Sequence, residues 1–340
     1  MATFILVDSL NMFHRAKHVG HRGADIDTKI GMAFHIMMSS VKMCYNMFDA
    51  DHAVFCLEGR SWRKDFYTPY KAQRKVAQQA KSVREQEEDG IMFGAYDSLV
   101  EFVETRTNCT VLQNKEAEAD DMIALFIASH PNDHHIIVSS DGDYQQLICD
   151  NVTLYDGVQN RIITPDGYFK DDKKRTPIKD KKTKEVLPPP DPEWLLFEKC
   201  IRGDTSDNIF SAYPGCRTKG TKNKVGMIEA FEDRNTGGFS WNNFMLQRWT
   251  DHNGEEHRVL DDYNRNVTLI DLTAQPADII QTVDNVIQNT VKIKPPAQVG
   301  THFMKFCGKY DLTRIGDQAA HYSEWLKKEY SGDLLNELAS

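Results

Sequence analysis

The chain contains 340 residues, 40% of them hydrophobic and 27% charged, and its 41 basic and 50 acidic residues give a formal net charge of −9. This length suggests about two domains of roughly 150 residues, and the composition argues against a disordered or fibrous protein. The longest apolar run, 122–128, is far shorter than the roughly 20 residues of a membrane span. The N-terminus lacks the basic start of a signal peptide, and the scattered cysteines form no Cys-x-x-Cys pair. We therefore expect a cytoplasmic protein.

Short apolar runs alternate with amphipathic segments through the first half of the chain. The predicted strands are Thr3–Val7, Ala53–Leu57, Thr110–Leu112 and Ile136–Val138, followed by a hairpin of Val152–Tyr155 and Arg161–Thr164. The predicted helices are Lys29–Phe48, Met92–Thr105, Glu116–His130 and Tyr144–Cys149. Strands that alternate with helices are typical of an α/β fold with a mostly parallel central sheet flanked by helices.

The composition changes after residue 169. We predict an α/β core over residues 1–169, a basic linker over 170–190 that ends in three prolines, and a mostly helical domain over 191–340. In the last domain the predicted helices are Glu193–Ile201, Lys224–Phe231, Leu260–Leu272 and Glu324–Tyr330, and no strand is predicted.

Basic residues are concentrated in a few segments despite the negative net charge. Residues 60–84 contain eight basic side chains and one acidic side chain, and residues 170–184 contain eight basic and three acidic side chains. A third basic group includes Lys219, Lys222 and Lys224. Such stretches either form solvated surfaces or bind the phosphates of a nucleic acid.

Acidic residues collect at the ends of the predicted strands and at helix starts. The group comprises Asp8, Glu58, Glu118, Asp120, Asp121, Asp141, Asp143, Asp204 and Asp207. In open α/β sheets ligands bind beyond the carboxyl ends of the strands. Several carboxylates can share one site only when cations neutralise them, and oxygen ligands without His or Cys favour Mg²⁺ or Mn²⁺. Two such ions suit the hydrolysis of a phosphodiester. Helix capping and ordinary turns explain any single member equally well.

Five ordered motifs give the chain a family resemblance. They are Leu-Val-Asp-Ser-Leu-Asn at 6–11, Tyr-Lys-Ala-Gln-Arg at 70–74, Glu-Ala-Asp-Asp at 118–121, Ser-Ser-Asp-Gly-Asp-Tyr-Gln-Gln-Leu at 139–147 and Gly-Asp-Thr-Ser-Asp-Asn-Ile at 203–209. Over residues 1–310 the chain resembles the 5′ nucleases, which include flap endonucleases, the 5′-3′ exonuclease domain of DNA polymerase I and phage ribonucleases H. The segment 264–279 is most similar to the phage ribonuclease H type. The chain length leaves no room for a polymerase domain, so we expect a free-standing nuclease.

The resemblance implies a PIN-like core in which the nine carboxylates bind two Mg²⁺ ions, with Mn²⁺ as a substitute. The family has an aspartate after its second strand. Depending on the loop length, that position falls on Cys56 or Glu58, and we favour Glu58 because a thiol is a poor ligand for Mg²⁺.

The resemblance also implies a helical arch over residues 60–90 and a helix-hairpin-helix segment over 204–231. Lys71 and Arg74 match residues that contact the scissile phosphate. The nucleic-acid-binding residues implied in this way are Arg15, Arg63, Tyr70, Lys75, Lys219, Lys222 and Lys224. Tyr70 either stacks on a base or packs the base of the arch. A potassium site at the hairpin is in question, because residues 214–226 are longer than the family's usual glycine hairpin.

We therefore expect a monomeric two-metal 5′-3′ exonuclease and flap endonuclease. Its substrate is expected to be DNA with a 5′ end or flap, and an RNA primer in an RNA–DNA hybrid is a second possibility. We expect no membrane partner, a possible replication-protein partner, and a phage-infected bacterial cell as the setting. The alternatives are a non-catalytic DNA-binding relative and a PIN-like ribonuclease.

Overall fold

The computed structural model describes residues 1–19, 24–290 and 296–330. The strands are β1 (Thr3–Asp8), β2 (His52–Cys56), β3 (Thr110–Leu112), β4 (His134–Val138), β5 (Val152–Asp156), β6 (Arg161–Thr164), β7 (Gly167–Lys170), β8 (Arg248–Thr250) and β9 (Glu256–Arg258). None of the helices among these described residues is long and apolar enough to cross a membrane.

The helices flank the strands and fill the last third of the chain. They are α1 (Ser9–Val19), α2 (Ile26–Met47), α3 (Arg63–Phe66), α4 (Ala72–Gln79), α5 (Val83–Arg106), α6 (Ala119–Ser129), α7 (Pro192–Arg202), α8 (Met227–Glu232), α9 (Phe239–Met245), α10 (Val259–Ile270), α11 (Ala277–Thr290), α12 (Val299–Lys309), α13 (Thr313–Gly316) and α14 (Ala319–Lys327). A short 3₁₀ helix, Gly142–Leu147, follows β4.

Seven strands form one sheet in the order β3-β2-β1-β4-β5-β6-β7. The first five are parallel, and β6 and β7 add antiparallel to β5. Residues 4–7 of β1 are all apolar and buried, so both faces of the strand are covered, as expected for a parallel strand between layers of helices. The predicted α/β fold with a mostly parallel sheet is confirmed, and the sequence prediction missed only β7 in this sheet.

The chain divides into two compact units that do not follow the predicted boundaries. The first unit contains Met1–Ser61, Lys81–Pro190 and the chain from Pro276 onward, and the second contains Trp62–Ala80 and Asp191–Gln275. The predicted 60–90 segment is therefore split between the units. Of the predicted 191–340 domain, residues 291–295 and 331–340 lie outside the described residues.

In the first unit the C-terminal helices pack on the α/β core. Phe306 of α12 stacks on Phe102 of α5 with ring centroids 4.5 Å apart, and Trp325 of α14 is buried near Tyr45 of α2. Residues 170–190 fold back along β7 through a hydrogen bond from Ile178 N to the Tyr168 carbonyl (2.8 Å). These contacts explain why both segments belong to the core rather than to a linker and a separate domain.

The second unit has its own apolar core. Phe197 and Ile201 of α7 pack with Met227 of α8, Phe244 of α9 and Val259 of α10. Strands β8 and β9 form a short antiparallel hairpin between α9 and α10, so the prediction of no strand after residue 190 is wrong. These strands are mostly polar and only three residues long, and they therefore carry no apolar pattern.

Candidate functional site

Strand β1 is the point at which the order of the parallel sheet reverses. The chain passes from β1 to β2 and β3 on one side and then returns to β4 and β5 on the other. The crevice beyond the carboxyl ends of β1 and β4 is where such sheets bind ligands. Asp8 is the last residue of β1, and Asp141 follows the end of β4 by three residues.

Three hydrogen bonds fix the carboxylate of Asp8. Ser139 Oγ and Tyr144 Oη donate to its Oδ2 at 3.0 and 3.1 Å, and the Asn11 N–H donates to its Oδ1 at 3.2 Å. The residue is only 8% exposed. Burial raises the pKa of Asp8 to about 6, with a smaller contribution from the charge of Asp141, although the hydrogen bonds oppose the shift. A buried acid with a raised pKa is typical of a functional site.

Two residues near the end of β2, Cys56 and Glu58, are the candidates for the acid position of this strand. Cys56 is the last residue of that strand, lies opposite Asp8 in the sheet and is completely buried, and this burial raises the pKa of its thiol. Glu58 Oε2 accepts a hydrogen bond from the Ala119 N–H (3.1 Å) at the start of α6. Since a protonated, buried thiol does not bind Mg²⁺, the geometry favours Glu58 as the acid of this strand.

The three acids at the start of α6 have different surroundings. Glu118 is buried, and its Oε2 accepts a hydrogen bond from Ser61 Oγ (2.9 Å). Asp121 is fully buried, and its Oδ2 accepts a hydrogen bond from the Glu118 N–H (3.0 Å), which caps the helix. Asp120 is half-buried and accepts a hydrogen bond from the Asp121 N–H (2.7 Å). One oxygen of Asp121 is thus committed to capping.

Asp141 and Asp143 lie at the start of the 3₁₀ helix. Asp141 is exposed, and its Oδ1 accepts a hydrogen bond from the Asp143 N–H (2.9 Å), while its own N–H donates to Ser139 Oγ (3.1 Å). Asn11 Oδ1 accepts a hydrogen bond from Ser140 Oγ (2.9 Å). The start of α1 and the loop after β4 are therefore held together beside Asp8.

The charges of several of these acids act on two buried tyrosines. Burial raises the pKa of Tyr144, and the charges of Asp8, Asp120 and Asp141 raise it further. Burial raises the pKa of Tyr96 as well, with contributions from Asp8 and Glu58. Acids from β1, the β2 end, α6 and the β4 end therefore influence the pKa of one or both of these tyrosines. Their donor atoms are hard carboxylate oxygens, a set that fits Mg²⁺ or Mn²⁺.

Asp204 and Asp207 lie in the second unit, where both pair with basic side chains. Asp207 Oδ1 is 2.7 Å from Arg74 Nη2, and its Oδ2 is 3.6 Å from Lys71 Nζ. Asp204 Oδ2 is 2.7 Å from Lys199 Nζ. Burial alone would raise the pKa of Asp204, but its contacts with Lys199 and with Ser206 outweigh burial and lower it. The two predicted phosphate-contacting cations, Lys71 and Arg74, are thus held together by one carboxylate.

Two residues predicted to bind nucleic acid are instead buried. Arg63 is 1% exposed, its guanidinium lies over the Trp62 ring, and its Nε donates to the Leu269 carbonyl (2.8 Å). Its guanidinium is engaged inside the protein, which does not favour the predicted phosphate contact. Tyr70 is 3% exposed in an apolar cluster with Ile209, and its hydroxyl donates to Asp207 Oδ2 (3.2 Å). Of the two roles considered for Tyr70, the structure favours packing over base stacking.

Four other predicted nucleic-acid-binding residues are exposed. They are Lys75, Lys219, Lys222 and Lys224. Arg15 is half-buried in the first unit, where its guanidinium donates to the Gly157 carbonyl. A side chain at Gly157 would collide with that guanidinium, because a Cβ there would lie 2.5 Å from Arg15 Nη1.

The loop over residues 214–226 is closed by a carboxylate of α8. The N–H groups of Gly220 and Gly226 both donate to Glu229 Oε2 at 2.9 Å. Both amide N–H groups point at a carboxylate. Because N–H donors attract anions and repel cations, this point of the loop does not fit a potassium ion.

Sequence reasoning missed the residues that support the acids. Ser139, Tyr144, Asn11 and Ser61 donate or accept the hydrogen bonds that orient Asp8, Glu118 and the loop after β4. A signal was present, because Asn11, Ser139 and Tyr144 each lie inside one of the quoted motifs.

Comparison with known proteins identifies a family. Residues 3–173, half of the chain, match the family described as the N-terminal resolvase-like domain of 5′-3′ exonucleases. DNA polymerase I of Rhizobium leguminosarum is 28% identical over 185 residues, which cover 54% of this chain and only 15% of that protein. Flap endonuclease Xni of Pseudoalteromonas translucida is 26% identical over 232 residues, or 64% of this chain and 74% of that protein.

A solved structure shares the fold. The flap endonuclease of bacteriophage T5, in a complex with DNA and metal ions, superposes with a TM-score of 0.56 at 18% identity. The match covers 85% of this chain and 100% of that one. At this identity the likeness concerns the fold alone, and it agrees with the seven-stranded sheet and flanking helices described above.

Proposed function

The chain belongs to the 5′ nuclease family, and on that premise we propose that it is a divalent-metal-dependent 5′-3′ exonuclease and flap endonuclease. Its substrate is DNA near a 5′ end or at a 5′ flap. The observation that carries this proposal is the buried carboxylate of Asp8 at the carboxyl end of β1, held by the Tyr144 hydroxyl, with Asp141 three residues past the end of β4. Carboxylates that lie near one another repel unless a cation lies among them.

The ions proposed are two Mg²⁺, for which Mn²⁺ can substitute. Asp8, Glu58, Glu118, Asp120, Asp121, Asp141 and Asp143 are the ligands assigned to the first unit, and Asp204 and Asp207 are the ligands predicted in the second. When bound, such ions supply positive charge to the scissile phosphodiester and to the attacking water.

The protein's own groups have separate tasks in this proposal. Ser139 and Tyr144 hold Asp8 in one orientation, so the acid needs no rearrangement before it binds a cation. Glu58 and Glu118 are held in the same way by the Ala119 N–H and by Ser61. In the second unit, Lys71 and Arg74 supply charge that stabilises the transition state of phosphodiester cleavage.

DNA binding is assigned to the exposed lysines. Exposed positions suit sequence-independent contacts to phosphates, and four lysines have them: Lys75, Lys219, Lys222 and Lys224. The burial of Arg63 and Tyr70 does not favour such contacts, and the proposal does not assign them to DNA binding. Arg15 has a supporting role, because its guanidinium is already engaged with a backbone carbonyl. An RNA primer in an RNA–DNA hybrid is a second substrate to be tested, and potassium is left out of the proposal.

The test uses a labelled 5′-flap DNA with Mg²⁺ and three proteins: wild type, Asp141→Asn and the control Asp166→Asn. Asp166 is an exposed aspartate of the same unit, in the turn between β6 and β7. We expect Asp141→Asn to lower the cleavage rate by at least about 100-fold, with flap affinity nearly unchanged and the control fully active. Wild-type turnover by Asp141→Asn contradicts the role assigned to Asp141.

The same assay separates the alternatives. A wild-type protein that binds the flap but never cleaves it would be a non-catalytic relative. A protein that prefers free single-stranded RNA would be a PIN-like ribonuclease. Parallel reactions on an RNA–DNA hybrid measure whether primers are also substrates.

A further inference from the structure

The hairpin of β8 and β9 in the second unit gathers three side chains of metal-binding type. Asp251 organises the loop between the strands, because its Oδ1 accepts hydrogen bonds from the N–H groups of Asn253 (2.9 Å) and Glu255 (2.8 Å). This turn brings Asp251 and Glu255 next to His257 of β9. One potential ligand atom from each of Asp251, Glu255 and His257 lies within 4.8 Å of the other two.

His257 is oriented by its neighbours. Its ring stacks on Trp249 with centroids 4.4 Å apart, and its Nδ1 lies 3.1 Å from Asp262 Oδ2. The other oxygen of Asp262 accepts a hydrogen bond from Arg265. A carboxylate only accepts hydrogen bonds, so the proton of the neutral imidazole resides on Nδ1 and the lone pair on Nε2. A carboxylate behind a histidine is the usual support of a metal-binding imidazole.

The Nε2 atom of His257 has no hydrogen-bond partner among the described residues, although it is shielded from solvent. Asp251 Oδ2 is 4.0 Å away, which is too far for a hydrogen bond. A buried polar atom without a partner costs free energy. An ion between Nε2 and the carboxylate of Asp251 would supply the partner that Nε2 lacks.

We propose that Asp251, Glu255 and His257 bind one late first-row divalent ion, foremost Zn²⁺, with Asp262 as the residue that positions His257. Bonds of about 2.1 Å in a tetrahedral site place ligand atoms roughly 3.4 Å apart, so a modest rotation of the exposed Glu255 completes the set. Mixed nitrogen and oxygen ligands distinguish this site from the carboxylate cluster of the first unit and select Zn²⁺, Co²⁺ or Ni²⁺ over Mg²⁺. Water supplies the fourth ligand.

A simpler explanation is an ion pair between a protonated His257 and Asp251 without any metal. It predicts that zinc binding, where present, is independent of His257. A direct titration with Zn²⁺ distinguishes the two explanations.

The experiment titrates Zn²⁺ into the full chain by calorimetry, with excess Mg²⁺ throughout to occupy the carboxylate cluster. We expect one Zn²⁺ site with micromolar or tighter affinity. His257→Gln and Glu255→Gln should each weaken it by at least about 10-fold, and Asp262→Asn by about 10- to 100-fold. The matched control is His252→Gln, which removes an exposed histidine of the same loop and should leave the affinity unchanged.

Melting temperatures in EDTA show whether each variant is folded, and the exposed position of Glu255 makes Glu255→Gln the variant least able to disturb the fold. Loss of zinc affinity in Glu255→Gln, at an unchanged melting temperature, supports the site. The proposal is overturned if His257→Gln and Glu255→Gln bind zinc as tightly as wild type. It is also overturned if His252→Gln loses as much affinity as they do, or if wild type binds no zinc.

Discussion

Replacing Asp8 with asparagine is expected to stabilise the metal-free protein while it abolishes cleavage. Burial raises the pKa of this carboxyl from 3.8 to about 6. Each pKa unit corresponds to about 1.4 kcal/mol, so ionised Asp8 costs the folded state about 3 kcal/mol at pH 8. Asparagine keeps a hydrogen-bond acceptor for Ser139 and Tyr144 but has no charge to bury. The free energy of unfolding should therefore rise by up to about 3 kcal/mol in Asp8→Asn.

The pH dependence of this gain follows from the direction of the shift. The unfolded carboxyl ionises near pH 3.8 and the folded one near pH 6, so the cost to wild type is small at pH 4, grows through that window and is complete above it. Urea unfolding of wild type and Asp8→Asn in EDTA, at pH 4.5 and pH 8, measures this difference in the free energy of unfolding. Asp166→Asn, at an exposed position in the same unit, should follow wild type at both pH values.

In the presence of Mg²⁺, wild type should become more stable than Asp8→Asn. An ion that binds only the folded wild type stabilises it by mass action, and Asp8→Asn should gain far less. The reasoning is refuted if Asp8→Asn is no more stable than wild type at pH 8 in EDTA. It is refuted equally if the difference between the two proteins does not grow with pH.

Three further predictions concern the second unit. Lys71→Ala should slow single-turnover cleavage by about 100-fold and weaken flap binding much less; an effect on affinity alone would remove Lys71 from the reaction. Arg63→Ala should lower the free energy of unfolding by about 3 kcal/mol or more, because a buried, hydrogen-bonded side chain is lost; normal stability with weaker DNA binding would contradict its interior role. Lys222→Ala and Lys224→Ala should each lower the slope of log affinity against log salt by about 1 between 50 and 200 mM salt; an unchanged slope would show that neither lysine contacts a phosphate.

The parallel strands could be predicted because each is a short apolar run with its own boundaries. Strand β3 has the predicted bounds, Thr110–Leu112, because its three side chains are all buried and form such a run. Helix α5 was predicted from Met92 but begins at Val83, because its first turns are charged and show no apolar face. The capping box of Ser82 and Glu85 was the signal for that start.

Packing between distant segments could not be predicted from local patterns. Nothing in residues 299–309 indicates that Phe306 stacks on Phe102, so the C-terminal helices could not be assigned to the core. The same limit applies to the candidate site. Acids at strand ends were predicted from topology, whereas the burial of Arg63 depends on a partner far away in the chain, the carbonyl of Leu269.

The most direct test of the account is a crystal grown with Mn²⁺ and examined for anomalous scattering. The account predicts manganese peaks beside Asp8, bound at about 2 Å by its carboxylate and by those of Asp120 or Asp141. Crystals that show no manganese at the carboxyl ends of β1 and β4, under conditions in which the protein cleaves DNA, would contradict it.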